Sequence, residues 1–186
     1  MASHLQPPTA IRPMNALEYH IVSSVFGTTL PDRHRILITN AAGVDGRAFT
    51  IPTSLLSSGA IMLAPFGLLT NALVASVNGM TSLGFLMNVG TDYNALAAGQ
   101  QRLLVHETTH VWQGHNSPFS LHYVFSSMLN QAIYGGGAYA YAPGQPWRAY
   151  NAEQQAAIVE DWFRTGQPVS GPLYPYIVDH VRKGDA

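Results

Sequence analysis

Apolar and polar positions along this chain of 186 residues change spacing from segment to segment, and those changes mark its elements. In "MNALEYHIVSSVF" the apolar residues recur at helical spacing, which predicts a first helix. "HRILITNAAGVDGRAFTIP" alternates around the turn-rich "NAAGVDG" and reads as a β-hairpin or two short strands. "FGLLTNALVASV" reads as a buried helix, and the short, glycine-bounded "LGFLMNVG" as a strand. Residues 93–113 read as a helix, stopped by Gly114 and Pro118. "SLHYVFSSMLNQAI" predicts a further helix, and "YGGGAYAYAPGQPWRAY" an aromatic-rich loop whose Gly135–Gly137 run could hinge a lid. "NAEQQAAIVEDWF" predicts a helix with Asn151 as N-cap and Gln154 completing a capping box. "LYPYIVDHV" predicts a short last helix. Helices predominate and the strands are few, so the expected class is α+β, one helix-rich domain over 13–186 behind a flexible leader at 1–12.

Composition narrows the function. Only 10% of residues are charged, against about 25% in an ordinary domain, and the net charge is −1. No basic cluster is dense enough to attract a phosphate backbone, which argues against a nucleic-acid partner. Residues 48–91 carry no charge, yet their longest mostly apolar run, "GAIMLAPFGLL", is about half the ~20 residues a spanning helix needs. A buried, glycine-rich layer is expected there rather than a transmembrane segment. The absence of cysteine removes disulfides, thiolate metal sites and cysteine nucleophiles together. "MASHLQPPTAIRP" lacks the apolar core of a signal peptide.

The chemistry is concentrated in "LLVHETTHVWQG". On a helix, residues four apart project from one face, so His106 and His110 can aim at a single ion. Glu107 stands beside that face, placed to take a proton from a water at the ion as a general base. Leu103, Leu104, Val105, Val111 and Trp112 surround the triplet, and burying two histidines and a glutamate among them without partners would be costly. One Zn2+ removes that cost.

A catalytic zinc takes three protein ligands, so one more is owed. His115 follows Gly114 and reads as a loop histidine; Gln113 and Asn116 stand where the metzincin pattern needs Gly and His. The downstream carboxylates are Glu153, Glu160, Asp161, Asp179 and Asp185. Glu153 is favoured, because it lies in the first turn of its helix, where the dipole supports an ionised carboxylate. Glu160 and Asp161 become candidates for orienting a histidine, with a solvated helix face as their other reading. Oxyanion donors are sought among Tyr134, Tyr139, Tyr141 and His122.

"VHETTHVWQ" followed by "NAEQQAAIVEDWF" resembles the gluzincin type of zincin metallopeptidase. More narrowly, it resembles the toxin domains fused to type VI secretion spike (VgrG) and Rhs-type proteins, with their H-E-M-T-H-V-W-Q and E-Q-Q-A helices. Thr108 stands where that family often has Met. The resemblance implies zinc on His106, His110 and Glu153, Glu107 as base, and an edge strand before the active helix, where "LGFLMNVG" lies. It also implies a protein or peptide substrate, a cognate immunity protein, a parent spike polypeptide and delivery into the periplasm of a rival cell. The same helix would serve a zinc amidase acting on cell-wall peptides. An interaction module with a structural zinc, and a metal-free binding domain, are the non-catalytic rivals.

Overall fold

Residues 10–41, 48–54, 84–117 and 139–186 are described by the computed structural model of the chain. Among them, β1 (Ile11–Pro13), β2 (Ile36–Thr39), β3 (Phe49–Pro52) and β4 (Phe85–Asn88) form one mixed sheet in the order β1-β2-β4-β3. Four helices accompany it: α1 (Ala16–Phe26), α2 (Gln101–Asn116), α3 (Ala152–Arg164) and α4 (Tyr174–Asp179). The fold class is α+β.

The two central strands run parallel, and every residue of "ILIT" and "FLMN" is buried. Strands covered on both faces read as continuous apolar runs rather than alternating ones, which accounts for both sequences. Ile36, Ile38, Phe85 and Met87 join the main core with Leu104, Val105, Val111 and Trp112 of α2. Thr50, paired with Met87 across the sheet, reaches Glu107 on the same helix. One sheet face therefore carries α2, and α3 packs along α2 in turn.

Local chemistry sets the helix starts. Asn15 and Glu18 form a reciprocal capping box on α1, and Asn151 and Gln154 form the expected one on α3. Buried Glu18 also takes a two-pronged ion pair from Arg12, both bonds 2.7 Å, and Arg12 donates to the Tyr93 carbonyl.

The structure corrects several expectations. The expected leader reached residue 12, but Ile11 and Arg12 lie in β1, paired with Thr39 and Ile38. β2 and β3 are two strands and not a hairpin, because β4 inserts between them. "LGFLMNVG" is consequently a central strand; among the described residues the edges are β1 and β3. Residues 90–94 form a 3-10 turn, and α2 begins only at Gln101. The same helix runs through Gly114 to Asn116, so His115 is a residue of the last helical turn and not of a loop. The helices expected over 66–77 and 120–133, the Gly135–Gly137 hinge, and His122 and Tyr134 lie outside the described residues.

Gly114 has a packing role in place of the expected stop. A Cβ there would sit 2.6 Å from Cε1 of Phe85, well inside contact distance. Gly114→Ala should therefore force α2 away from β4 and lower stability by about 1–3 kcal/mol. Chemical denaturation should show that loss, and Phe85→Leu in the same chain should recover part of it.

Candidate metal centre

α2 carries a polar stripe into the interior. His106, Glu107, Thr108, Thr109 and Gln113 are all buried on it. His106 and His110, one turn apart, place their rings 5.2 Å between centroids. The capping box at Asn151 starts α3 so that Glu153, in its first turn, faces both rings. Glu153 Oε2 lies 3.3 Å from His106 Nε2, and Oε1 lies 3.4 Å from His110 Nε2. Glu153 is fully buried, and the two histidine side chains are each 10% exposed. One ligand atom from each of the three residues lies within 4.8 Å of the others.

The donor chemistry of this group calls for a cation. Glu160 Oε2 stands 3.1 Å from His106 Nδ1, and a carboxylate accepts, so Nδ1 carries the hydrogen. Arg102 fixes Glu160 from the other side through bonds of 2.8 and 2.6 Å. In a neutral ring, Nε2 of His106 is then a bare lone pair facing another carboxylate. His110 Nε2 is buried with no hydrogen-bond partner. Two lone pairs and an ionised carboxylate in one buried space repel unless protons or a metal ion stand between them. His106, His110 and Glu153 thus fit a metal ion.

Titration behaviour follows from the same contacts. Burial opposes charge on His106, but its bonds to Glu153 and Glu160 outweigh this and raise its pKa to about 10. His110 is raised too, the charge of Glu153 overcoming burial. Burial would raise Glu153, yet the two imidazoles hold its carboxyl well below the usual range. Glu107 is pushed up by burial, against the pull of His110, His106 and its Thr50 bond. Thr50 Oγ1 donates to Glu107 Oε2 at 2.8 Å, fastening the glutamate to the edge strand.

The remaining candidates separate. Glu160 meets His106. Asp161 does not reach either histidine: it accepts from the Tyr141 hydroxyl at 2.9 Å and pairs with Arg164. Tyr141 is correspondingly committed, its pKa raised by burial and by that bond. The Tyr139 ring lies 5.7 Å from the His106 ring, so among the described tyrosines proposed as donors it is the one that borders the centre. His115 is exposed, and burial together with the charge of Arg35 lowers its pKa. Asp185 instead binds Arg148 and His180.

Four contributors escaped the sequence reading. Thr50 and Arg102 are brought in by tertiary pairing, which no local pattern announces. Gln113 lies next to His110, with Oε1 2.9 Å from His110 Nδ1, and Gln155 backs Gln113 through a bond of 2.8 Å. The signal for Gln113 was its place three residues after His110, on the same helical face.

The chain is 34% identical over 92 residues, 48% of its length, to the type VI secretion system spike protein VgrG2b of Pseudomonas aeruginosa. It is therefore a partial homologue of a spike protein, spanning 9% of that protein's length. No family model and no solved structure matches the chain. Among the described residues, no helix is long and apolar enough to cross a membrane.

Metal uptake should release protons. Without metal, the charge on His106 contributes stability that is complete below its ordinary pKa of 6.5 and lost as pH rises through about 10. A metal must displace that proton, so apparent affinity should rise from pH 6 to 8 by about tenfold per pH unit for each proton displaced. Calorimetry in two buffers of different ionisation enthalpy counts the protons. A pH-independent affinity would contradict the arrangement.

Proposed function

We propose that this chain is a zinc-dependent metallopeptidase domain, with His106, His110 and Glu153 holding the ion and Glu107 acting as general base. The observation that carries the reading is the meeting of two imidazole Nε2 atoms and a fully buried carboxylate beside a second buried glutamate. Two nitrogens and one carboxylate oxygen are a donor set suited to zinc, and three protein ligands leave the fourth position to water or substrate. When bound, zinc supplies a Lewis acid that makes hydroxide available near pH 7, lowering the pKa of water from 15.7 to about 7.

The chain's own residues perform the remaining work. Glu107 takes the proton of the attacking water and delivers it to the leaving amide nitrogen. Burial raises its basicity toward that role, and Thr50 holds its orientation. Tyr139, its ring 5.7 Å from that of His106, is the candidate donor to the oxyanion. β3 ends the sheet among the described residues, and its Thr50 touches the base, so a substrate peptide pairing along that edge would run beside Glu107.

The homology to a spike protein supports a biological setting. In this setting, the domain is an antibacterial effector of a type VI system, carried on a spike polypeptide and acting in the periplasm of a rival. A cognate immunity protein would restrain it at home.

Glu107→Gln tests the chemistry. It should retain about one zinc per chain by metal analysis, yet lose roughly 10²–10⁴-fold in peptide hydrolysis. Full activity in Glu107→Gln would overturn the mechanism, and cleavage of cell-wall peptides but not proteins would reassign the substrate. Thr50→Val removes a bond that lowers the Glu107 pKa, so the acidic limb of the pH–rate profile should move to higher pH.

A further inference from the structure

We propose that Gln113 and Gln155 form a neutral amide relay that sets His110 in its Nδ1–H form and directs its Nε2 lone pair at the metal ion. Both are positioning residues, and the inference rests on the metal-centre reading above.

The polarity of the relay follows from two backbone carbonyls, which can only accept hydrogen bonds. Gln155 Nε2 lies 3.2 Å from the Trp147 carbonyl, so its NH₂ end faces that oxygen and its Oε1 faces away. That Oε1 accepts from Gln113 Nε2 at 2.8 Å. The second proton of Gln113 Nε2 goes to the Ala152 carbonyl at 3.0 Å. Both protons of that amide are now used, and only its Oε1 is left to face His110 Nδ1, 2.9 Å away. The Nδ1 atom must be the donor. A neutral imidazole has one N–H, so Nε2 is bare, and it is this atom that lies buried without a hydrogen-bond partner.

Burial makes the relay effective. Gln113 and Gln155 are 1% and 2% exposed, so water does not compete for these bonds. The relay also links the ligands to each other. Ala152 is the first residue of α3 and precedes Glu153, so one amide on α2 holds His110 and also the start of the helix that presents the third ligand. A carboxylate could not replace it. At position 113 it would present oxygen to the Ala152 carbonyl and to Gln155 Oε1 with no proton to offer either. The two histidines are thus supported differently: His106 by an anion paired with Arg102, His110 by a neutral amide.

The test uses the full chain and Zn2+ alone. Nitrogen-15 NMR of the zinc-loaded wild type should show His110 with a protonated Nδ1 and a metal-bound Nε2. Gln113→Met, similar in size and without polar atoms, should weaken zinc about 10–100-fold in a chelator competition. Gln155→Met should weaken it less, since the Ala152 bond remains, and Gln113→Glu should not restore wild-type affinity. A His110 bound through Nδ1, or zinc affinity unchanged in both methionine variants, would overturn the relay while leaving the metal centre standing. A wild type that binds no zinc would instead overturn the metal reading itself. Should Gln113→Met fail to fold, the wild-type tautomer and Gln155→Met decide the question.

Discussion

A carboxylate with no access to solvent, set between two imidazole nitrogens, is the constraint around which this molecule is organised. Taking an ionised carboxyl out of water costs several kcal/mol even after relaxation, and Glu153 is completely enclosed. Positive charge must therefore be supplied within the same space. Part comes from the N-terminal end of α3, where the helix dipole favours an anion in the first turn. The rest comes from protons on the histidines or from a metal ion, and the two compete for the same nitrogen atoms.

That competition explains why α2 looks as it does. Its buried positions include a histidine, a glutamate, two threonines and a glutamine, with His110 partly buried beside them, an unusual load for an interior helix. The apolar side chains Leu104, Val105, Val111 and Trp112 join it to the core, while Glu107, His106 and Gln113 of the polar stripe are answered from other elements and Thr109 bonds back to the Val105 carbonyl. Thr50 answers Glu107 from the sheet edge, and Glu160 answers His106 from α3. Gln155 answers Gln113, also from α3. Gly114 lets the helix settle against the Phe85 ring, so the stripe meets these partners at hydrogen-bond distance.

The legible parts of the chain were those whose physics is local. Histidines four apart on a helix must share a face, and Asn151 with Gln154 must cap the helix that begins there, so the two ligand-bearing helices could be read from the sequence. The apolar, glycine-bounded "LGFLMNVG" also declared itself a strand. Its position in the sheet did not, because the parallel pairing of Ile36–Thr39 with Phe85–Asn88 joins segments almost fifty residues apart and has no local signature. Separations of 58 and 57 residues likewise hid Arg102–Glu160 and Thr50–Glu107. Gly114 misled for the opposite reason: glycine after a helical run usually signals an end, and here tertiary contact with Phe85 gave it another use. Asp161 was indistinguishable from Glu160 in sequence. One residue of helical rotation, about 100°, separates the carboxylate that meets His106 from the one that meets Tyr141.

Under the proposed function, β3 gains a double role that follows from geometry. Thr50 sits on a strand at one end of the sheet among the described residues and has its hydroxyl on the candidate base. A peptide adding to that strand would make main-chain bonds to the same segment that orients Glu107, so capture of substrate and placement of the base would share one mechanical element. Any shift of β3 relative to α2 would be felt at both. The imidazoles are held by contacts that do not involve β3: His106 by Glu160 of α3, and His110 by Gln113, itself bonded to Gln155 of α3. Substrate-side motion thus acts on the base, and the ligand set stays where two packed helices put it.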